Sequence, residues 1–439
     1  MVYKSVLDLI GNTPLVEISK DIHNLKNVNL YAKLEIYNPF GSVKDRTAYA
    51  MLKDHIDEIK KNNMTVIESS SGNTAKALKL LCNINNIDFE TVTNRIKIPE
   101  VKDILKSFGT NIKELPGLSE CPDPNNPNDA LKIITKMMIA NPGKYFYPDQ
   151  YTNPNNPSFH YHTTGKEIWN DLGKVDYFFG TLGTAGSSGG IVKYIKEQNP
   201  YLKAYGIVGE KGDFIPGIRN MDEMFEVGNF DLSLYDEIVN VSTSEALDSM
   251  FTLVNKCGIL GGPTSGACLA GAIKFLSKID KELKEEINVV IVICDRVEHY
   301  MSYIKKRRPE LFYEEPKDNI YTLTEEDNKY LEKVKVEELD NFIKEEKPLI
   351  IDLRGNLAYR NSHIKGSINI LESIFLDVVD NAIIFDKYTT VLLICPTGKK
   401  SDKFAMFLNK KGMNVYSLEG GMIELINNSY PLERISNYE

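Results

Sequence analysis

Gly41-Ser42-Val43-Lys44-Asp45-Arg46-Thr47-Ala48 decides the reading of this chain, because a lysine between a Gly-Ser turn and a helix start is an unusual place for an ordinary surface charge. Ahead of it, Leu30-Tyr31-Ala32-Lys33-Leu34-Glu35 alternates as a strand does, and Asn38-Pro39 marks the turn that follows. Behind it, Ala48, Met51, Leu52, Ile56 and Ile59 recur at helical spacing and predict a helix with one buried face. Lys44 is therefore expected on a loop just before a packed helix. A strand, a tight turn and a helix hold one amine rigidly, and an amine kept from bulk water is a usable nucleophile or Schiff-base former. On this string alone, a solvated lysine is the commoner explanation.

Three more stretches change the balance. Ser69-Ser70-Ser71-Gly72-Asn73-Thr74 follows the apolar pair Val66-Ile67 and precedes the helical string Ala75, Ala77, Leu78, Leu80, Leu81, so hydroxyls and an amide lie at a helix N-terminus, an arrangement that binds a carboxylate. Phe178-Phe179-Gly180-Thr181-Leu182-Gly183-Thr184-Ala185-Gly186-Ser187 runs from a strand into a helix bearing Ile191, Tyr194 and Ile195, and offers backbone amides to a phosphate. Gly261-Gly262-Pro263-Thr264-Ser265-Gly266-Ala267 places hydroxyls at another loop-to-helix junction.

An amine, an amide-lined carboxylate site, a phosphate cup and a hydroxyl in this order resemble the fold-type II pyridoxal-phosphate enzymes, in the branch of cysteine synthase and cystathionine β-synthase. The resemblance covers residues 1 to about 305, in a catalytic domain expected over 1–308, and includes Gly11-Asn12-Thr13-Pro14-Leu15, Gln150 with Asn153-Pro154, and the ending Asp295, Glu298, Tyr300 and Ser302. It implies an α/β catalytic domain of two subdomains, similar to the tryptophan synthase β chain, that holds pyridoxal 5'-phosphate. By similarity Lys44 anchors the cofactor, Asn73 meets its 3-hydroxyl, and Gly183, Thr184, Ala185, Gly186 and Ser187 hold its phosphate. Thr264 would face the pyridine nitrogen, with Ser265 as the second candidate. Ser70, Ser71, Asn73, Thr74 and Gln150 would bind the substrate carboxylate. The chain departs from the family pattern at Ser70, Ala75, Ala185 and Ser187, where threonine, glycine, glycine and threonine are commoner; each keeps a small side chain or a hydroxyl.

The chain has 439 residues, too many for one ordinary core, and with 42% hydrophobic and 26% charged residues it reads as globular. No run is long enough to span a bilayer, and the start lacks a signal-peptide core, so a cytoplasmic protein is expected. A net charge of −9 argues against nucleic acid as a general partner, and Lys305-Lys306-Arg307-Arg308 reads as a solvated helix end. Cys82, Cys121, Cys257, Cys268, Cys294 and Cys395 show no paired spacing, and His160 and His162 have no matching ligand pair, so neither a metal site nor a disulfide framework is expected.

Residues 309–333 turn strongly charged, with Glu314, Glu315, Lys317, Asp318, Glu325, Glu326 and Asp327, and read as a linker with one exposed helix. A new unit follows over 334–439. Leu349-Ile350-Ile351-Asp352-Leu353-Arg354 predicts a buried strand, and Val391-Leu392-Leu393-Ile394 another that ends in Cys395. Pro396-Thr397-Gly398-Lys399-Lys400-Ser401 then leads into a helix with Phe404, Phe407 and Leu408 on one face. Amides and a helix N-terminus around a thiol favour a reactive thiolate or a persulfide. The order Asp352-x-Arg354, Tyr359, His363-Ile364-x-Gly366-Ser367-Ile368-Asn369, the Cys395 loop and Leu418-Glu419-Gly420-Gly421-Met422 resembles the single-domain rhodaneses, an α/β fold in which the residue matching Cys395 carries sulfur. Lys400 stands where that family often has arginine, which keeps the charge and loses the planar fork that suits a thiosulfate-like donor. A rhodanese with only a structural role is the alternative.

Pro216-Gly217-Ile218-Arg219-Asn220-Met221-Asp222-Glu223 resembles the segment by which O-phosphoserine-dependent cysteine synthases place an arginine at the substrate phosphate, and an arginine suits a dianion. The resemblances together imply β-replacement on an activated serine: Lys44 as general base, phosphate leaving in preference to acetate, and sulfur entering, delivered by Cys395. A hydroxyl rather than a carboxylate at the pyridine nitrogen favours replacement over transamination. A homodimer acting on small molecules is implied. Two alternatives stand beside this reading: a synthase of cystathionine or a diaminopropionate precursor, and a sulfur-relay protein whose main activity is sulfurtransfer.

Overall fold

The computed structural model describes residues 2–94, 96–115, 129–312, 323–381 and 388–435. Cys121 and the acidic run at 314–318 lie outside the described residues. The chain divides into two compact units, Met1–Leu311 and Phe312–Glu439. Among the described residues no helix is long and apolar enough to cross a membrane.

The strands of the first unit are β1 (Leu15–Ile18), β2 (Val28–Leu34), β3 (Thr65–Glu68), β4 (Phe89–Thr93), β5 (Asn111–Glu114), β6 (Tyr145–Phe146), β7 (Tyr177–Thr181), β8 (Lys203–Gly209), β9 (Glu237–Val241) and β10 (Ile287–Ile293). One sheet has the order β1-β2-β10-β7-β8-β9, parallel except for the β1–β2 pair; the other, β5-β4-β3-β6, is wholly parallel. A strand buried on both faces has to be apolar at consecutive positions. In β10, Val289, Ile291 and Ile293 enter one hydrophobic cluster while Val290 and Val292 enter another on the opposite face. A third cluster, with Val66, Leu78, Leu81 and Phe89, packs the Asn73–Asn85 helix on the smaller sheet. The loops after β3, β7 and β10 all leave carboxyl ends of parallel strands, where open α/β sheets bind ligands.

The second unit holds β11 (Glu332–Val334), β12 (Leu349–Asp352), β13 (Ile368–Asn369), β14 (Thr390–Ile394) and β15 (Asn414–Leu418), all parallel in the order β11-β15-β14-β12-β13. Central β14 alternates between two cores: Val391 and Leu393 join Phe404 and Phe407 on one face, Leu392 and Ile394 join Leu418 and Leu425 on the other.

Two details differ from the sequence reading. The apolar face over 48–59 belongs to two helices, Lys44–Leu52 and Ile56–Lys61. Lys53, Asp54 and His55 turn the chain between them, and the spacing hides the break because Leu52 and Ile56 stay four apart. Lys44 is consequently the first residue of a helix and not the last of a loop. The charged stretch also does more than link. From residue 323 it packs on the second unit: Leu323 and Leu331 lie against its core, Asp327 is buried and pairs with Lys410 at 3.0 Å, and β11 pairs with β15. Two leucines suffice to dock a segment whose average composition is that of a solvated linker.

Candidate active site

One cavity of about 170 Å³ in the first unit is lined by residues from eight separate segments of the chain. From the sequence-predicted residues it gathers Lys44, Ser70, Ser71, Asn73, Thr74, Gln150, Gly183, Thr184, Ala185, Ser187, Arg219 and Thr264. Gly186 is not part of the lining. It faces backward, and a Cβ there would lie 2.2 Å from Asn156 Oδ1, so this glycine permits close approach of the Gly186–Gln198 helix to the Asn155–His160 helix. Ser265 is likewise outside; its Oγ accepts from the Cys294 amide at 3.0 Å.

Lys44 is fixed from its backbone. Its amide donates to Ser42 Oγ at 3.2 Å, and the Val43 amide donates to the Cys294 carbonyl at 2.8 Å, which ties the lysine to the end of β10. Beneath it, Arg46 is fully buried and donates to Glu35 at 2.7 and 2.8 Å and to both carboxylate oxygens of Glu167 at 2.7 Å. Lys33, also buried, pairs with Glu167 at 2.9 Å. Burial opposes the charge on Glu167, but the hydrogen bonds and charge of Arg46, then Lys33, outweigh it and hold the carboxyl down to about 2. Two cations and two carboxylates thus make a closed network under the lysine.

The 69–74 loop is organised by Ser70, whose Oγ accepts from the amides of Gly72 (3.3 Å) and Ala75 (3.1 Å). The first amides of a helix have no partner within it; that of Ala75 is met by Ser70, while Asn73 and Thr74, the first two residues of the helix, line the cavity. Thr74 Oγ1 donates to Gln150 Oε1 at 2.7 Å while Gln150 Nε2 donates to the Ser69 carbonyl at 2.9 Å, so the glutamine closes the loop. On the phosphate side, Ala185 has φ 57° and caps the Gly186–Gln198 helix, and a Cβ on Gly183 would lie 2.6 Å from the Gly217 carbonyl. Thr264 donates its hydroxyl to the Pro216 carbonyl.

Asn156 escaped the sequence reading, and Asp295 and Cys294, though quoted there, were given no role in the site. Asn156 is wholly buried; its Oδ1 accepts from Thr47 Oγ1 at 3.1 Å, and its Nδ2 donates to the Gln150 carbonyl (2.9 Å) and Thr184 Oγ1 (3.2 Å). One amide thereby joins the lysine helix, Gln150 and the 183–187 loop. Asp295 and Cys294 also line the cavity. Asp295 Oδ2 accepts from Asn73 Nδ2 at 2.7 Å and from Tyr300 Oη; burial raises its carboxyl above the usual range, and Oδ1 has no partner. His160 is buried between Thr47 and Thr164, and desolvation, with Arg46 nearby, pushes it down to about 3, so it is neutral and structural. The signal available for Asn156 was its place just after Asn153-Pro154.

In the second unit Cys395 follows β14, is buried, and lines a separate cavity with Leu353, Arg354, Gly355, Ala358, Glu372, Pro396 and Lys400. Its Sγ accepts from the Ser401 amide (3.4 Å) and Oγ (3.3 Å) at the start of the Lys399–Lys410 helix. Gly421, at φ 62°, allows the next loop to press on the cysteine backbone; a Cβ there would lie 2.3 Å from the Cys395 carbonyl.

A helix-start lysine, the start of the Asn73–Asn85 helix and a tight glycine cradle, brought together at the ends of parallel strands, are the arrangement of an α/β enzyme with room for an anchored cofactor. Family comparison is specific. The family described as "Pyridoxal-phosphate dependent enzyme" matches residues 6–295, and "Rhodanese-like domain" matches 335–427. The chain belongs to the pyridoxal-phosphate-dependent enzymes and carries a rhodanese-like domain after the catalytic one. Cysteine synthase B of Pseudomonas aeruginosa is 33% identical over 306 residues, 68% of this chain and 96% of the relative. A cystathionine beta-synthase of Apis mellifera is 31% identical over 315 residues, 68% of this chain and 60% of the relative. Among solved structures, a hydrogen sulfide-producing enzyme from Fusobacterium nucleatum is similar with TM-score 0.60 and 31% identity, over 68% of this chain and 100% of that one. Cysteine synthase from Entamoeba histolytica follows at TM-score 0.61 and 29%, over 70% and 91%. The residues fit the cofactor: the Gly183 cradle, the helix N-terminus behind it and the unpartnered Asp295 Oδ1 are all features of a site shaped for a polar, phosphorylated ligand.

Proposed function

We propose that the first unit makes L-cysteine by β-replacement on an activated serine, with O-phosphoserine favoured over O-acetylserine, and that Cys395 carries the incoming sulfur as a persulfide. The observation that supports this is the single cavity shared by Lys44, the 70–74 loop, the 183–187 loop and Arg219. Pyridoxal phosphate, when bound, supplies the electron sink that lets an α-proton and a β-substituent leave. Lys44 would hold it, Asn73 would meet its 3-hydroxyl, Thr264 its pyridine nitrogen, and the amides of 183–187 its phosphate.

The protein's own groups do the rest. The substrate carboxylate binds at the start of the Asn73–Asn85 helix, with Gln150 fixing the loop's other side. This orients the Cα–H towards Lys44, whose amine takes the proton and later returns it. Arg219 reaches the β-substituent: its guanidinium lies over the Tyr151 ring at 5.0 Å, and its charge suits a departing phosphate dianion.

Purified protein mixed with sulfide and either O-phosphoserine or O-acetylserine, with cysteine quantified and the bound cofactor followed by absorbance, tests the reading. Lys44→Ala is expected to abolish turnover while circular dichroism shows the same fold, since one amine both anchors and moves the proton. Normal cysteine formation by that variant would sink the assignment.

A further inference from the structure

The cavity beside Cys395 carries two cationic side chains, and each is matched by a carboxylate. Arg354 is 8% exposed and is held by Asp352, which accepts from its Nε at 3.0 Å and its Nη2 at 2.7 Å. Lys400, the second residue of the Lys399–Lys410 helix, lines the cavity and is paired with Glu372, the first residue of the Glu372–Asn381 helix. The Lys400 side chain is 59% exposed and that of Glu372 is 37% exposed, and both line the cavity that Cys395 lines. Counted with Asp352, which holds Arg354 from outside the lining, the cavity has two cations against two carboxylates and no net positive charge from these side chains. It attracts a doubly charged oxyanion poorly, whereas a donor of low net charge enters without loss.

We infer that Glu372 makes the Cys395 site discriminate against oxyanion sulfur donors such as thiosulfate in favour of organic persulfides of low net charge. The inference rests on the reading of Cys395 as a sulfur carrier and adds its donor class and the residue that sets it. In the step itself, Cys395 Sγ as thiolate attacks the outer sulfur of R–S–S⁻. The donor's S–S bond breaks, R–S⁻ leaves, and the outer sulfur remains on Cys395 as a persulfide. Charge and electrons balance without an added reductant. With thiosulfate the same attack would release sulfite.

The test loads full-length protein with sulfur from thiosulfate and, separately, from cysteine persulfide, following the mass of Cys395 against time at low salt. Intrinsic donor reactivity cancels when the ratio of the two rates is compared between the parent and Glu372→Gln. Removing the carboxylate is expected to raise the thiosulfate-to-persulfide ratio about fivefold, the size of an exposed charge effect, and the gain should shrink as salt is added. An unchanged ratio overturns the role of Glu372 and leaves the carrier reading intact. Absence of sulfur on Cys395 from both donors overturns the carrier reading and this inference with it.

Discussion

Arg219 is 5% exposed, an unusual degree of burial for arginine, and its Nη1 donates to the Glu223 carbonyl at 2.9 Å. That anchor and the Tyr151 ring hold the guanidinium at the cavity wall. Replacing it by alanine should remove a charge-assisted bond of about 1.5–3 kcal/mol to a substrate phosphate, lowering kcat/KM for O-phosphoserine roughly ten- to a hundredfold while O-acetylserine is little affected. An equal small loss with both esters would return Arg219 to a structural role. Residues of this kind were legible because they sit in short strings with their own turn chemistry. Asn156 was not, since its partners lie 6, 28 and 109 residues away and only the fold assembles them. Ala185 shows a different limit. Its small size is readable, but its left-handed backbone, worth about 1–2 kcal/mol against any side chain, is visible only in the structure.

Among the elements, the Lys44–Leu52 helix depends on what lies under it. Arg46 projects from its first turn into the network of Glu35, Glu167 and Lys33. Glu167 titrates near 2 in the folded chain against an ordinary 4.5, so its stabilisation is complete above pH 4.5 and is lost as pH falls through 2. Glu167→Gln should therefore cost about 3 kcal/mol at pH 7 and progressively less towards pH 2, measured by urea unfolding at a series of pH values. A cost that stays constant with pH would mean that packing and not charge carries the effect. Periodicity found β14 readily, because a parallel strand buried on both faces must be apolar throughout, but β10, a strand of the same kind, was not read from the sequence. It missed the turn at 53–55 and the docking of 323–334 because a few buried residues decide each, and local composition averages over them.

At the scale of the whole molecule, each hydrophobic cluster among the described residues lies within one unit, so the chain joins two self-contained cores. Joining a sulfur carrier to a sulfur acceptor raises the local donor concentration to the order of millimolar when the connection spans the two sites. Cys395→Ser is accordingly expected to abolish cysteine formation driven by a persulfide-generating donor while turnover with free sulfide stays within about twofold. Equal rates for parent and variant with the persulfide donor would refute the relay. Two cores on one chain also fix dosage. On the proposed function, carrier and acceptor are made one to one at every level of expression, so persulfide would not be produced on a surplus of carriers with no acceptor attached, and a change in gene regulation would leave the pair balanced.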